Sequence, residues 1–159
     1  MTLQNFSWVL PGKLAGSDIP GHHSADHIRT DLEYLAENGI RYLVSLEKPA
    51  GEIQQICSEL NMTWKYFPIP DFSLPPDITA FSKMVTEIIE KLQNGLPVCV
   101  HCHAGVGRTG LVLSCVIGKY FLLDSNKALA TVRRSRAAID TAEQRNFVRY
   151  FLEEYEYRI

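Results

Sequence analysis

Pro97-Val98-Cys99-Val100-His101-Cys102-His103-Ala104-Gly105-Val106-Gly107-Arg108-Thr109-Gly110 decides how the rest of this chain is read. The apolar run Pro97–Val100 predicts a buried strand, the glycines predict a loop, and Leu111–Phe121 predicts a helix. Between strand and helix stand a cysteine and an arginine, in the pattern His-Cys-x5-Arg-Thr-Gly. A loop running into a helix N-terminus aims several backbone N–H groups at one point, where the helix dipole favours negative charge. Cys102 stands at that point. A thiol attacks only as its thiolate, and the field that binds a phosphate dianion also favours that form. Arg108 can curl back and hold two phosphate oxygens with its planar fork. Gly105, Gly107 and Gly110 give the backbone freedom and room to wrap a tetrahedral anion. The expected cradle is therefore His103, Ala104, Gly105, Val106, Gly107 and Arg108. Thr109 is placed to hydrogen-bond the Cys102 sulfur and ease its departure, and His101 to orient the loop rather than to act as a base. The pattern points to cysteine-dependent hydrolysis of a phosphate monoester.

Three other readings of these residues are weaker. Gly105-Val106-Gly107-Arg108-Thr109-Gly110 also fits Gly-x-Gly-x-x-Gly, but the dinucleotide fingerprint needs its first glycine at the strand end and a second strand with an acid about 20 residues on. Cys99 and Cys102 are spaced C-x2-C, and His23 and His27 H-x3-H, which raises zinc. The order is wrong for a finger, and zinc leaves Arg108 and the glycines without a role. A thioredoxin-like pair should open a helix, whereas Cys99 lies in the expected strand. Cys57, Cys99 and Cys115 read as small core hydrophobes.

A phosphate monoester also needs a proton for its leaving oxygen, from an acid on a loop that can reach the cradle. Pro68-Ile69-Pro70-Asp71-Phe72-Ser73-Leu74-Pro75-Pro76 is a proline-framed loop with Asp71 as its first acid. The rival role for Asp71 is a turn or helix cap, the role expected of Asp77. Asp140 and Thr141 are expected to cap the last helix. Ser114 is expected to bond within the site or within its own helix.

His101-Cys102-His103-Ala104-Gly105-Val106-Gly107-Arg108-Thr109-Gly110 resembles the signature of the protein tyrosine phosphatase superfamily, in its compact (atypical) dual-specificity branch. Asn5-Phe6-Ser7-Trp8-Val9-Leu10-Pro11-Gly12-Lys13-Leu14-Ala15-Gly16 and Ile69-Pro70-Asp71-Phe72 extend the resemblance over nearly the whole chain. The resemblance implies a dual-specificity phosphatase-like fold and a cysteinyl-phosphate intermediate, with phosphorylated protein substrates bearing phosphotyrosine, phosphoserine or phosphothreonine. It implies that Asp71 is the general acid and then the base, that Gln144 supports the site, and that neither cofactor nor metal is needed. Relatives carry Arg-Pro where this chain reads Arg136-Ala137-Ala138, so a looser segment is expected there and the placement of Gln144 stays open. Phosphoinositide and RNA 5′-phosphate substrates, and a non-catalytic phospho-binding module, are the alternatives. His103 and Val106, standing where lipid phosphatases often place lysines, count against the first.

At 159 residues one domain (1–159) is expected, large enough to bury roughly 68–70% of its unfolded surface. A net charge of −2 gives no case for a nucleic-acid partner. No run of apolar residues is long enough for a membrane span. Met1–Leu10 lacks a secretory signal, so a reduced setting, cytoplasmic and also nuclear, is expected. Lys127, Arg133, Arg134, Arg136 and Arg145 read as a solvated helix face. Oligomeric state is not written in the sequence.

Strands are expected at Phe6–Val9, Lys13–Ala15, Arg41–Leu46, Thr63–Ile69 and Pro97–Val100. Helices are expected at His27–Asn38, Glu52–Leu60, Pro76–Gln93, Thr109–Phe121, Ser125–Arg134 and Thr141–Tyr157. Strands alternating with helices predict an α/β fold, a central mostly parallel sheet flanked by helices, with the site at the strands' carboxyl ends.

Overall fold

The computed structural model describes residues 3–155, and of His23 the backbone only. The strands are β1 (Ser7–Leu10), β2 (Leu14–Ser17), β3 (Tyr42–Ser45), β4 (Thr63–Tyr66) and β5 (Val98–His101). The helices are α1 (Ile28–Glu37), α2 (Ile53–Glu59), α3 (Ile78–Gln93), α4 (Gly107–Phe121), α5 (Ser125–Arg133) and α6 (Ala142–Glu153). The Tyr157 end of the expected last helix lies outside the described residues.

The sheet order is β1-β2-β5-β3-β4. Only β1, hairpinned onto β2, runs antiparallel; β2, β5, β3 and β4 are parallel neighbours. Parallel strands buried on both faces read as continuous apolar runs, as Val98-Cys99-Val100 does. Strand alternation sends Cys99 to one face, with Ala15, Leu43 and the α1–α2 residues Leu32, Leu35 and Ile56. It sends Val98 and Val100 to the other, beneath α3, α4, α5 and α6. The result is an α/β/α sandwich with β5 at its centre.

Helix α4 continues directly from the cradle, and every residue from Gly107 to Gly118 is buried. Its first turn is therefore fixed by core packing on all sides. Helix α3 buries Phe81, Met84, Val85, Ile88 and Leu92, a stripe at helical spacing. Each such side chain contributes about 1.5–3 kcal/mol. Asp77 caps α3, accepting from Thr79 and Ala80 amides at 2.9 and 3.3 Å, as its sequence position leads one to expect. Strand β4 ends at Tyr66 rather than Ile69, because Pro68 and Pro70 cannot donate to a ladder. A 3-10 turn at Pro20–His23 has no sequence signal beyond Pro20-Gly21.

Candidate active site

Strand β5 and helix α4 converge on the loop His101–Gly107 at the carboxyl end of the sheet. No side chain caps α4, so its first N–H groups, which have no partner inside the helix, remain to meet an anion. Cys102 is 3% exposed at the base of this loop. Gly105 turns at φ +80°, and a Cβ there would lie 2.4 Å from the Ser17 carbonyl oxygen. The loop therefore presses against the end of β2, and only glycine fits.

Gly107 and Gly110 serve a different purpose from the anion-wrapping role expected of them. A Cβ on Gly107 would stand 2.0 Å from Asp140 Oδ2, and one on Gly110 2.6 Å from the Ala138 Cβ. Both glycines let the segment between α5 and α6 pack against the first turn of α4.

That segment also carries Arg136, which corrects the reading of the basic cluster as a solvated face. Arg136 is buried at 6% exposure. It donates through Nη2 to the Gly105 carbonyl at 2.8 Å and through Nη1 to Ser7 Oγ at 2.9 Å. Its Nε is buried without a partner, and burial holds its pKa below the usual value. Asn5 grips the same loop from the N-terminal side, its Nδ2 donating to Ala104 O at 3.0 Å and Gly105 O at 3.4 Å. Arg136 thus ties the segment that lacks the proline to the cradle and to β1.

His101 is fully buried, and burial pushes its pKa down to about 4, so the ring is neutral near pH 7. Trp64 Nε1, a donor only, donates to Ser45 Oγ at 2.8 Å. The Ser45 hydroxyl then gives its single hydrogen to His101 Nε2, 2.5 Å away. That assignment leaves the ring hydrogen on Nδ1, which donates to the Cys102 carbonyl at 2.8 Å. His101 orients the backbone of Cys102, as its place before the cysteine suggests. Ser45, in β3, is the register partner of His101 in β5, a pairing invisible in the sequence.

Arg108 is 3% exposed. Its Nη1 donates to Ile69 O at 2.9 Å and its Nη2 to Glu47 Oε1 at 2.8 Å. Nη2 also lies 3.1 Å from Asp71 Oδ1. Asp71, remote in sequence, is thus delivered to the arginine by the proline-framed loop, while its Oδ1 also accepts from the Phe72 amide at 2.9 Å. Together Glu47, Tyr66, Pro70, Asp71 and Arg108 line an open cleft of about 390 Å³. Glu47 escaped the sequence reading. The carboxylate has only its place just past β3 to mark it.

One expected contact turns out differently, and the open placement of Gln144 is settled. Thr109 makes no hydrogen bond to the Cys102 sulfur; its hydroxyl is buried without a partner, as is that of Ser114. Gln144 is buried and reciprocates Thr141 in a capping box. Its Nε2 points to the Ser73 carbonyl at 3.4 Å, so it ties α6 to the acid-bearing loop rather than reaching Arg108.

The remaining cysteines, Cys57, Cys99 and Cys115, are buried and free. Burial pushes the Cys57 and Cys99 thiols up to about 12 and raises Cys115 as well. Cys99 and Cys102 belong to opposite faces of the sheet, so they do not share a tetrahedral metal. After α4 the chain continues as α5 and α6 with no further strand among the described residues, which removes the dinucleotide reading.

Residues 15–119, from β2 to near the end of α4, match the family described as "Polymorphic toxin system, DSP-PTPase phosphatase". The chain belongs to the cysteine-dependent DSP/PTPase superfamily. It is 25% identical over 154 residues to mouse dual specificity protein phosphatase CDC14A, covering 91% of this chain but 24% of that longer protein. It is 28% identical over 149 residues to rat cyclin-dependent kinase inhibitor 3, covering 84% of this chain and 68% of that one. The crystal structure of kinase associated phosphatase, with its catalytic cysteine replaced by serine, superposes with a TM-score of 0.81 at 22% identity. That alignment covers 96% of this chain and 97% of that one. The chain thus has the α/β fold of the dual-specificity phosphatases.

Proposed function

We propose that this chain removes phosphate from phosphotyrosine and from phosphoserine and phosphothreonine in proteins, through a cysteinyl-phosphate intermediate. The observation that carries the reading is the meeting of Arg108 with Asp71 across 3.1 Å, beside a loop whose base is Cys102. A phosphate bound there has a nucleophile beneath it, an arginine fork at its side and an acid on the leaving-group flank.

In the first step the Cys102 thiolate attacks phosphorus in line; the S–P bond forms as the P–O bond to the substrate breaks. Asp71, carrying a proton, gives it to the departing oxygen. The loop amides from His103 to Arg108 and the guanidinium stabilise the equatorial oxygens. Arg108 directs Nη1 to Ile69 and Nη2 to Glu47 and Asp71, which leaves Nε and the second Nη1 hydrogen of its five donors for phosphate. In the second step water attacks phosphorus and yields its proton to Asp71, the P–S bond breaks, and the sulfur leaves as a thiolate that the Thr109 hydroxyl can receive. Neither metal nor cofactor enters this scheme, because the guanidinium and the amides supply the positive charge.

The lines of the sequence that mark a compact member, Asn5–Gly16 and Ile69–Phe72, resemble dual specificity phosphatase 23, and we place the chain in that branch. A cytoplasmic and nuclear setting and phosphorylated protein substrates are part of the same proposal. The test is steady-state hydrolysis of p-nitrophenyl phosphate with chelator and reductant, by the wild type, Cys102→Ser and Asp71→Ala. Loss of activity in Cys102→Ser and a sharp fall in Asp71→Ala are expected. Substantial turnover by Cys102→Ser would overturn the nucleophile assignment. Phosphopeptides are then compared with phosphoinositide vesicles and 5′-phosphorylated RNA, and faster turnover of either of these overturns the substrate class.

A further inference from the structure

A second pocket, about 250 Å³, opens beside the cradle and shares no lining residue with the cleft that holds Asp71. His103 and Ala104 of the cradle form one side, and Gln4, Asn5, Asp18 and His22 the rest. Ala104 is two residues past Cys102, no more than about 7 Å along the chain. A group seated here therefore neighbours the phosphate.

The pocket is rich in acceptors. Asp18, at the end of β2, is 6% exposed and lines it. One Asp18 oxygen accepts from the Gln4 amide at 2.8 Å, and the other lies 3.1 Å from His22 Nε2. Each oxygen has a second lone pair, so the carboxylate keeps acceptor capacity. Burial raises the Asp18 pKa, which marks a carboxylate whose surroundings do not fully compensate its charge. Asn5 spends its amide hydrogens on the loop carbonyls of Ala104 and Gly105, which leaves its own carbonyl oxygen as an acceptor. The His103 carbonyl is taken by the Ile19 amide at 2.8 Å. Two imidazoles, His22 and His103, complete the wall. Each is more than a third exposed, and each stands near a carboxylate, Asp18 and Glu47 respectively.

We propose that this pocket is a subsite for a cationic side chain, arginine or lysine, flanking the phosphorylated residue of a protein substrate. The inference rests on the phosphatase reading above and adds its substrate preference. The guanidinium of such a residue donates to Asp18 and Asn5 and lies against the imidazole faces, while the phosphate enters the cradle. The charges alternate as the substrate's do: positive at Arg108 and the loop amides, negative at Asp18. A second phosphate in this pocket is disfavoured, since it would face a buried carboxylate.

The test compares phosphotyrosine peptides that carry arginine, alanine or glutamate at each position flanking the phosphotyrosine, with kcat/KM read for each. The wild type is expected to favour arginine over glutamate by about fivefold or more at one of these positions, at low salt. Asp18→Asn, which keeps the acceptor for Gln4, brings that ratio to within about twofold, and His22→Glu, adding an acceptor charge on the exposed wall, raises it. Arginine-to-glutamate ratios within about twofold at all positions in the wild type overturn the inference, as does a ratio unchanged in Asp18→Asn. A preference for glutamate overturns it too and points to an anion subsite. Hydrolysis of p-nitrophenyl phosphate, which has no flanking residue, separates the two levels: a wild type inactive on it sinks the phosphatase reading itself. Should Asp18→Asn fail to fold, the wild-type ratio and the His22→Glu ratio still decide.

Discussion

Arg136→Met removes a cation from beneath the cradle while nearly keeping its volume. In the folded chain Arg136 gives one hydrogen bond to Gly105 O and one to Ser7 Oγ. After the substitution Gly105 O retains only the 3.4 Å contact from Asn5. A buried acceptor left short of partners costs about 1–3 kcal/mol, and hydrogen bonds to a charged donor are worth about 1.5–3 kcal/mol. Burying a guanidinium is itself unfavourable, as its lowered pKa shows, and its removal offsets part of that loss. The expected net loss of stability is about 1–3 kcal/mol, read as a lower urea midpoint with an unchanged m-value. Activity should suffer more specifically. Gly105 holds its positive φ against Ser17, and without Arg136 the turn can relax and withdraw amides from the phosphate. A loss of about 1.4 kcal/mol at the transition state is a tenfold fall in kcat/KM, so a fall of about 10- to 100-fold is expected, with weaker inhibition by inorganic phosphate. A double-mutant cycle with Asn5→Ala should show coupling, because both side chains hold Gly105 O. Activity within twofold of wild type and stability within about 0.5 kcal/mol would refute the claim that Arg136 holds the cradle.

Gly105→Ala should be more damaging than any cradle change that spares the backbone. It adds about 1–2 kcal/mol for a left-handed residue and a clash with the Ser17 carbonyl, and phosphate affinity read by competitive inhibition should fall with kcat/KM. His101 makes stability depend on acid. Its folded pKa of about 4 lies below the unfolded value of about 6.5, so the unfolded chain binds the proton first. Stability should therefore be complete above about pH 6.5 and fall as pH drops toward 4, by at most about 3 kcal/mol. Urea midpoints of wild type and His101→Gln across that range test it. If both variants keep the same acid slope, His101 is not the group responsible.

Much of this molecule is legible because local chemistry and global packing agree. The apolar run of β5, the glycine loop and the apolar α4 specify a strand, a turn and a helix in one register. Helices α1 and α3 announce themselves by a single apolar stripe, and Asp77 by its place before one. The proline frame around Asp71 reads as a loop because proline cannot extend a ladder. By contrast, Glu47, Ser45, Trp64 and Asn5 have no local mark of function. Each acts on the cradle through space, across strand pairing or chain reversal that only the sheet order β1-β2-β5-β3-β4 brings about.

Arg136 shows the limit most clearly, since a run of arginines in sequence says nothing of which one the fold will bury. The glycines show it too: their number is visible, but Gly105 is needed for its positive φ, while Gly107 and Gly110 are needed for the approach of Asp140 and Ala138. The order and spacing of Cys102, the loop glycines and Arg108 were determined by the sequence itself, because one strand, one loop and one helix carry them in unbroken succession. What holds the loop, ties Arg108 at rest to Glu47 and Asp71, and opens a second pocket beside it was decided by the tertiary structure. Those contacts join residues far apart along the chain, and their geometry exists only once the sheet and its helices have packed.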